Sequence, residues 1–181
     1  KNRMDNKLKF NSTGIKGLYV IELNSFEDNR GEFSRLFCLN EFRQVGFKKN
    51  IVNINYSKTL NIGDVRGMHY QEYPYPEEKI VKCINGSIFD VAVDMRISSS
   101  TYLQYFGIEL TKENNKMLYV PEGFAHGFQA LSNNAEIIYF NTQFYHPESE
   151  CGVNILDPAV DIKWPLKVEN QSDKDKKIKF I

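Results

Sequence analysis

The chain has 181 residues, of which 41% are hydrophobic and 25% charged, and its formal net charge is zero. This length suits one domain, which we predict to span residues 1–181. The charge balance argues against a nucleic-acid partner held by overall charge. No apolar run of 18 residues occurs and the first ten residues contain no continuous apolar segment, so we expect no membrane span and no signal peptide.

The cysteine content points to a reducing environment. Cys38, Cys83 and Cys151 are widely spaced, odd in number and form no CxxC pair. Such a set fits neither a disulfide framework nor a zinc site. We therefore expect reduced thiols and a cytoplasmic location.

Short segments rich in Val, Ile, Phe and Tyr recur along the chain, separated by Gly, Asn, Asp and Pro. This close, regular spacing predicts an all-β sandwich or barrel. The predicted strands cover residues 17–23, 50–57, 79–84, 87–95, 105–110, 116–121, 126–131 and 136–145. Two short helices are predicted, over residues 39–46 and 111–116. Residues 166–181 are charged, and we interpret them as a solvated tail or a flap that carries functional residues.

Two of these strands have one polar face. In residues 136–145, Tyr139, Asn141, Gln143 and Tyr145 alternate with apolar residues. Tyrosines on a polar face fit a wet pocket as well as they fit solvent, because each offers stacking area and a hydroxyl group. In residues 87–95 aspartates alternate with apolar residues, which predicts a half-polar strand at a barrel mouth or facing solvent.

His69, in the segment RGMHYQ, is a candidate functional residue. It points to the same side of its strand as Gln71. There is no HxH or HExxH pair, so no metal site is expected. Taken alone, His69 is more typical of a hydrogen-bonded core histidine than of a catalyst. His126 follows in a glycine-rich bend, where the backbone can approach a ligand closely, and both could converge in a barrel mouth.

A set of segments extends this pattern over residues 14–175 in a fixed order. They are residues 28–33, 54–58, 66–71, 77–96, 119–132, 145–150 and 156–165, with the strand around residue 139. Together they resemble the nucleotide-diphospho-4-keto-6-deoxysugar 3,5-epimerases, the dTDP-4-dehydrorhamnose 3,5-epimerase family. The resemblance implies a cupin-type double-sheet jelly roll with a few short helices, without metal or cofactor. It also implies a homodimer whose N-terminal strands cross to the neighbour.

The resemblance assigns the chemistry to four side chains. Inversion beside a 4-keto group needs a base on one face of the sugar, an acid on the other and a cation for the enolate oxygen. The matching positions are His69 as base, Tyr139 as acid and Lys79 as the enolate partner. Asp175 matches the carboxylate that orients the histidine, and Asp90 is a second candidate for that role.

The resemblance also implies a binding set for the nucleotide diphosphate. Arg66, His126, Lys174 and a partner subunit's Arg30 match the diphosphate contacts. Tyr145 matches an aromatic residue that stacks on the base, although it could instead be a surface or dimer contact. The remaining matches are Asn53, where usual members have a longer glutamine, together with Asn55 and Glu150.

The identity of the base rests on one departure from the family. Usual thymidine-using members carry a glutamate five residues after the arginine that matches Arg30, and this chain has Arg35 there. A guanidinium can only donate hydrogen bonds, and the O6 and N7 edge of guanine accepts them. This favours a GDP-linked sugar, such as a heptose, over a dTDP-linked hexose. The alternative is that Arg35 pairs with an acidic neighbour or a phosphate.

Three other functions stay open from the sequence. The enzyme could invert one carbon only, C3 or C5. The chain could be a non-catalytic sugar-nucleotide-binding cupin, but such a protein would have little need for His69, Lys79 and Tyr139 together. A metal-dependent cupin oxygenase is the third alternative.

Overall fold

The computed structural model describes residues 7–181, and its strands form two antiparallel sheets and one small hairpin. The strands of the first sheet are β1 (Leu8–Ser12), β2 (Tyr19–Leu23), β5 (Asn53–Thr59), β7 (Lys79–Asn85), β10 (Lys116–Val120) and β12 (Ala135–Asn141). Those of the second are β6 (Val65–Gln71), β8 (Ser87–Asp94), β9 (Tyr105–Thr111), β11 (Phe124–Ala130) and β13 (Glu150–Gly152). The hairpin joins β3 (Phe26–Asp28) to β4 (Gly31–Phe33).

The strand order confirms the predicted all-β, double-sheet jelly roll. The first sheet runs β1-β2-β10-β7-β12-β5 and the second β13-β6-β11-β8-β9. Consecutive strands therefore often lie in different sheets, as the connections of a jelly roll require. The helices are short: α1 (Leu39–Phe42), α2 (Asp173–Lys176) and two 3₁₀ turns. Across residues 7–181, no helix has the length and apolar character needed to cross a bilayer.

One helix prediction holds and the other is wrong. Residues 39–46 form α1 and a 3₁₀ turn that ends at Gly46, whose φ is +90°. Residues 111–116 form no helix, because Thr111 ends β9 and a turn follows. In that turn the Thr111 hydroxyl oxygen accepts the Asn114 backbone N–H at 2.9 Å, and the Asn114 side chain donates to the Glu109 carbonyl at 2.9 Å. Short side-chain contacts of this kind compete with helix formation.

The two half-polar strands also differ from their prediction. The strand predicted over residues 136–145 ends at Asn141, so Gln143 and Tyr145 lie in the following loop. In β8 the aspartates do not line a mouth or face solvent, since Asp90 and Asp94 are both 0% exposed. Buried carboxylates need hydrogen-bonded partners, and both have them. The alternation of aspartates with apolar residues in β8 therefore reflects buried, hydrogen-bonded carboxylates and not an exposed face.

Three apolar clusters explain how the sheets stack. One fills the space between the two sheets and includes Val81, Ala92 and Phe128. A second covers the outer face of the first sheet with α1, around Phe42. A third covers the outer face of the second sheet with residues 153–168, including Trp164. Both sheets are thus covered outside, and polar side chains on their inner faces are left to form a cleft.

The tail of residues 166–181 lies against the second sheet rather than free in solvent. The Gln129 side chain donates to the Leu166 carbonyl at 3.0 Å and accepts the Leu166 N–H at 3.0 Å. Further along, the Asn154 side chain donates to the Ile178 carbonyl at 2.6 Å. Asp175, between these anchors, is 4% exposed.

The N-terminal region contains a strand that pairs within the chain and a hairpin that is exposed. Within one chain, β1 pairs with β2. The β3–β4 hairpin is exposed along its whole length, and Phe26 and Phe33 are 60% and 67% exposed. Arg30 lies at the tip of this hairpin, beside Asp28.

Gly67 gives a test of the strand packing that supports the site. Its φ is +106°, and an added Cβ would lie 2.7 Å from the His126 carbonyl oxygen and 2.8 Å from the Gly127 Cα. Gly14 also has a positive φ, +89°, but has no neighbour within 4 Å of such a Cβ. We expect Gly67→Ala to lower the free energy of unfolding by about 3 kcal/mol and the control Gly14→Ala by about 1 kcal/mol. Urea unfolding would measure both, and equal losses would contradict this account of Gly67.

Candidate active site

Two adjoining cavities lie between the inner faces of the sheets. The larger has a volume of about 640 Å³ and the smaller about 300 Å³. His69, Lys79 and Tyr139 line both cavities. The three residues predicted to carry the chemistry therefore lie where the two cavities meet.

His69 and Asp175 form a short polar contact at the larger cavity. His69 lies on β6, and its Nε2 is 2.6 Å from Asp175 Oδ1. Asp175 is held by its place in α2, where its N–H donates to the Ser172 hydroxyl oxygen that caps the helix. A proton on Nε2 is donated to this carboxylate, which leaves the Nδ1 lone pair free. The arrangement suits a general base.

Asp90, the second candidate partner for His69, contacts the other cleft histidine instead. His126 lies opposite His69 in the pairing of β11 with β6. Its Nε2 is 2.7 Å from Asp90 Oδ1 on β8, and both side chains are buried. The geometry therefore gives each histidine its own carboxylate, Asp175 for His69 and Asp90 for His126.

Lys79 projects from β7 in the first sheet and is held by a carboxylate that the sequence analysis missed. Its Nζ is 3.0 Å from Glu77 Oε1 and donates to the His69 carbonyl at 3.4 Å. Glu77 in turn accepts the Asn141 side-chain N–H at 3.0 Å. Residues 77 and 79 have the same parity, so their side chains would share one side of an extended segment. The two-residue spacing of Glu77 and Lys79 is therefore the sequence feature that could have identified Glu77 as a partner of Lys79.

Tyr139 faces the cleft from β12, and so from the sheet opposite His69. Burial raises the pKa of its hydroxyl, and the negative charge of Glu77 raises it further, while Arg66 acts in the opposite direction. The phenol therefore stays protonated well above neutral pH. It can donate a proton from the wall opposite the histidine.

The smaller cavity has an exposed aromatic ring and several amides. Tyr145 is 62% exposed, and its hydroxyl donates to Glu150 Oε2 at 2.7 Å. Lys174 forms an ion pair with the same oxygen. Burial alone would raise the pKa of Glu150, but the hydrogen bonds from Lys174 and Tyr145 lower it. Asn53 and Asn55 line the same cavity from β5.

The residues predicted to bind the diphosphate are not brought together within one chain. Arg66 and His126 line the larger cavity. The Arg66 guanidinium donates to the Thr59 hydroxyl at 2.9 Å and to a backbone carbonyl at 3.0 Å. Lys174 lies beside the smaller cavity through Glu150. Arg30 is far more exposed, with 84% of its side chain in solvent, and pairs with Asp28.

Arg35 lines neither cavity. Its guanidinium is 3.4 Å from Glu41, a carboxylate that is 7% exposed and also accepts backbone N–H groups at the start of β1. The structure thus shows the alternative interpretation, in which Arg35 pairs with an acidic neighbour. Within one chain, Arg35 is therefore not placed to contact a purine base in the cleft.

Gln71 was noted only for its strand face, yet it organises the loop that carries Tyr145. Its side-chain N–H donates to the carbonyls of Tyr75 and Phe144 at 2.9 and 3.1 Å. Its side-chain oxygen accepts the His146 N–H at 2.7 Å. These contacts hold the backbone on both sides of Tyr145. The shared parity of residues 69 and 71 placed both on the cleft side, and only the fold shows what Gln71 binds.

Metal ligands are not grouped in the part of the chain that the structure describes. Among residues 7–181, no three His, Cys, Asp or Glu side chains are placed to hold one ion.

The fold and the cleft define a class: a jelly-roll protein with titratable side chains on two facing walls. Comparison with known proteins gives the family. The family model described as dTDP-4-dehydrorhamnose 3,5-epimerase matches residues 12–181. The Shigella flexneri protein of that name is 42% identical over 164 residues, which cover 90% of each chain.

Solved structures agree with this result. The dTDP-4-dehydrorhamnose 3,5-epimerase of Elizabethkingia anophelis superposes with a TM-score of 0.92 at 37% identity, covering 96% of each chain. A Legionella pneumophila 3,5-epimerase in complex with dTDP-4-keto-L-rhamnose superposes with a TM-score of 0.90 at 38% identity, covering 96% of this chain and 92% of that one. The chain belongs to the dTDP-4-dehydrorhamnose 3,5-epimerase family. It is an epimerase, and the resemblance found in its sequence is confirmed.

Proposed function

We propose that the chain inverts C3 and C5 of a dTDP-linked 4-keto-6-deoxyhexose by an enolate mechanism. The observation that carries the proposal is the position of His69 and Tyr139 on facing sheets with Lys79 between the two cavities. Inversion requires proton removal from one face of a sugar ring and return to the other. A base and an acid on opposite walls meet that requirement.

The first step is removal of a proton from a carbon next to the ketone. His69 Nδ1 takes the C3 or C5 proton, and the C–H electron pair forms the enolate with the C4 oxygen. The imidazolium that results is stabilised by Asp175, 2.6 Å from the other ring nitrogen. The Lys79 ammonium supports the negative enolate oxygen.

The second step returns a proton to the opposite face. The Tyr139 hydroxyl gives its proton to the carbon, and the enolate electron pair forms the new C–H bond. His69 then carries one extra proton and Tyr139 one fewer. Exchange with water restores both groups before the second carbon reacts.

Thymidine diphosphate is the nucleotide we propose. The Arg35–Glu41 contact removes the basis on which the sequence favoured GDP. The relatives reported above carry dTDP in their names, and one was solved with a dTDP-linked 4-keto sugar. Family membership supports dTDP, and the GDP-linked heptose stays as the hypothesis to be tested against it.

The remaining predicted contacts are distributed along the cleft. We place the nucleotide base against the ring of Tyr145, because this ring is exposed and available for stacking. Asn53, Asn55 and Glu150 would then contact the nucleoside from the smaller cavity. Arg66, His126 and Lys174 would supply donors and charge to the diphosphate and sugar.

A homodimer would complete this binding set. Arg30 lies on an exposed hairpin with two exposed phenylalanines, which is a surface suited to burial against a second subunit. We infer that the partner subunit's Arg30 reaches the diphosphate. The cytoplasmic location predicted from the sequence belongs to the same proposal, and the three free cysteines support it.

Two variants separate the base from the acid. We expect His69→Ala to abolish deuterium uptake from deuterated water at both C3 and C5, because no base remains. The Tyr139→Phe enzyme should still exchange deuterium into the sugar but invert little of it, since deprotonation persists while the acid is lost.

NMR of the recovered sugar would count the deuterated carbons. Deuterium uptake at one carbon only in the parent enzyme would establish the single-carbon alternative. Exchange by His69→Ala at the parent rate would contradict the role of His69, and bound but unexchanged sugar in the parent would favour the non-catalytic cupin.

Calorimetric titration with dTDP and GDP tests the nucleotide. We expect dTDP to bind at least tenfold more tightly, a difference of about 1.4 kcal/mol. The control is Arg35→Ala, which should leave the preference unchanged because Arg35 pairs with Glu41. Tighter binding of GDP that is lost in Arg35→Ala would restore the purine hypothesis.

Subunit mixing tests the contribution of Arg30. Arg30→Ala and His69→Ala should each be poorly active alone. If Arg30 acts across the interface, exchange of subunits gives mixed dimers in which one site carries both changes and the other carries neither. Random mixing should then recover about a quarter of the parent activity. No recovery after verified subunit exchange would show that Arg30 does not act on the partner's site.

A further inference from the structure

Glu77 is a carboxylate in a cleft that must accept an anionic ligand. It lines the smaller cavity, and 13% of its side chain is exposed. Burying a charge is costly unless it is paired and hydrogen-bonded. Glu77 is both, because Lys79 lies 3.0 Å from one of its oxygens and Asn141 donates to the other at 3.0 Å. A carboxylate that is paired and hydrogen-bonded inside such a cleft indicates a functional role.

We propose that Glu77 is a positioning residue that fixes the Lys79 ammonium for the enolate and sets the upper pH limit of inversion. This inference rests on the proposed function of Lys79 and Tyr139. Glu77 itself need not touch the substrate.

The contacts of Lys79 account for the positioning. An ammonium group has three N–H donors. One is directed to Glu77 and one to the His69 carbonyl, at 3.0 and 3.4 Å. The third is left for a ligand in the cleft. A lysine side chain has high rotational freedom when it is not held, so loss of Glu77 would release the group that must meet the enolate oxygen.

Glu77 is fixed from its other side by a chain of amides. Asn141 Nδ2 donates to Glu77 Oε2, and Asn141 Oδ1 accepts from Asn55 Nδ2 at 3.0 Å. The two ends of the Asn141 side chain thus have different partners, which determines its orientation. The network joins the enolate partner on β7 to the proposed nucleoside contact on β5.

Glu77 lies close to the proposed acid: it lines the same cavity as Tyr139 and is bonded to Asn141, two residues further along β12. Burial raises the pKa of Tyr139 and the Glu77 charge raises it further. A tyrosine works as an acid only while protonated, so a raised pKa extends activity to higher pH. Neutralising Glu77 must move the loss of activity to lower pH. The other charged or titratable groups that line the two cavities are Lys58, Asp64, Arg66, His69, Tyr70, Lys79, His126, Tyr145, Glu150 and Asp175.

Glu77→Gln keeps the shape of the side chain and removes its charge. We expect the alkaline limb of kcat/KM against pH to move down by about half a pH unit or more. At neutral pH, kcat should fall while KM changes little, because the substrate contacts remain. Glu72→Gln is the matched control. Glu72 is exposed and lines neither cavity. It accepts a hydrogen bond from Tyr70, which has no part in the proposed proton transfers, so the loss of its charge should leave the profile in place.

A substrate-free measurement separates this inference from the proposed function. Tyrosinate absorbance, taken as the difference between the parent and Tyr139→Phe, reports the titration of one phenol. Repeating it in Glu77→Gln should show that transition at lower pH, whatever sugar the enzyme uses. An unmoved transition together with an unmoved kcat/KM profile would overturn the inference.

Asn141→Ala provides a second variant should Glu77→Gln not fold. It retains the charge of Glu77 but removes the hydrogen bond that holds the carboxylate. We expect a lower kcat with the alkaline limb in its parent position. Parent kcat in a folded Asn141→Ala protein would overturn the positioning role.

Discussion

The site depends on the face-to-face packing of two β-sheets. Stacked sheets lie about 10 Å apart, and side chains from both inner faces fill the space between them. In most of this molecule apolar residues fill it. Where His69 of the second sheet and Lys79 and Tyr139 of the first point inward, the space becomes a cleft lined by polar groups. A ring held there is approached from two opposite walls, which a single sheet could not provide.

The cleft is completed by parts of the chain that are distant in sequence. Asp175 comes from the C-terminal segment, 106 residues after His69. That segment is anchored through Gln129 at its start and Asn154 near its end, both outside the cleft. The rigidity of the His69–Asp175 pair therefore depends on backbone contacts of the tail. This explains why a charged stretch resembling a solvated end is partly buried.

Periodicity predicted the strands well, because apolar alternation follows directly from burial on one face. It could not identify the partners of buried polar residues. The alternation placed Asp90 at a barrel mouth or in solvent, but it is buried, and its carboxylate is hydrogen-bonded to His126 on the neighbouring strand. Arg35 suggested a ligand contact, but Glu41 six residues later takes its guanidinium. Both differences arise from tertiary pairing. The roles proposed for His69 and Tyr139 came only from the resemblance, since spacing alone does not place them on facing sheets.

Most cations proposed to meet the substrate already have a carboxylate partner. Lys79 pairs with Glu77, Lys174 with Glu150 and Arg30 with Asp28. An incoming diphosphate or enolate must share or displace these carboxylates, so the cations contribute position more than net attraction. Arg66 differs, because the partners seen within residues 7–181 are a hydroxyl and a carbonyl. Neither acceptor carries a negative charge, so of these four cations Arg66 can contact an anionic ligand without sharing or displacing a bound carboxylate.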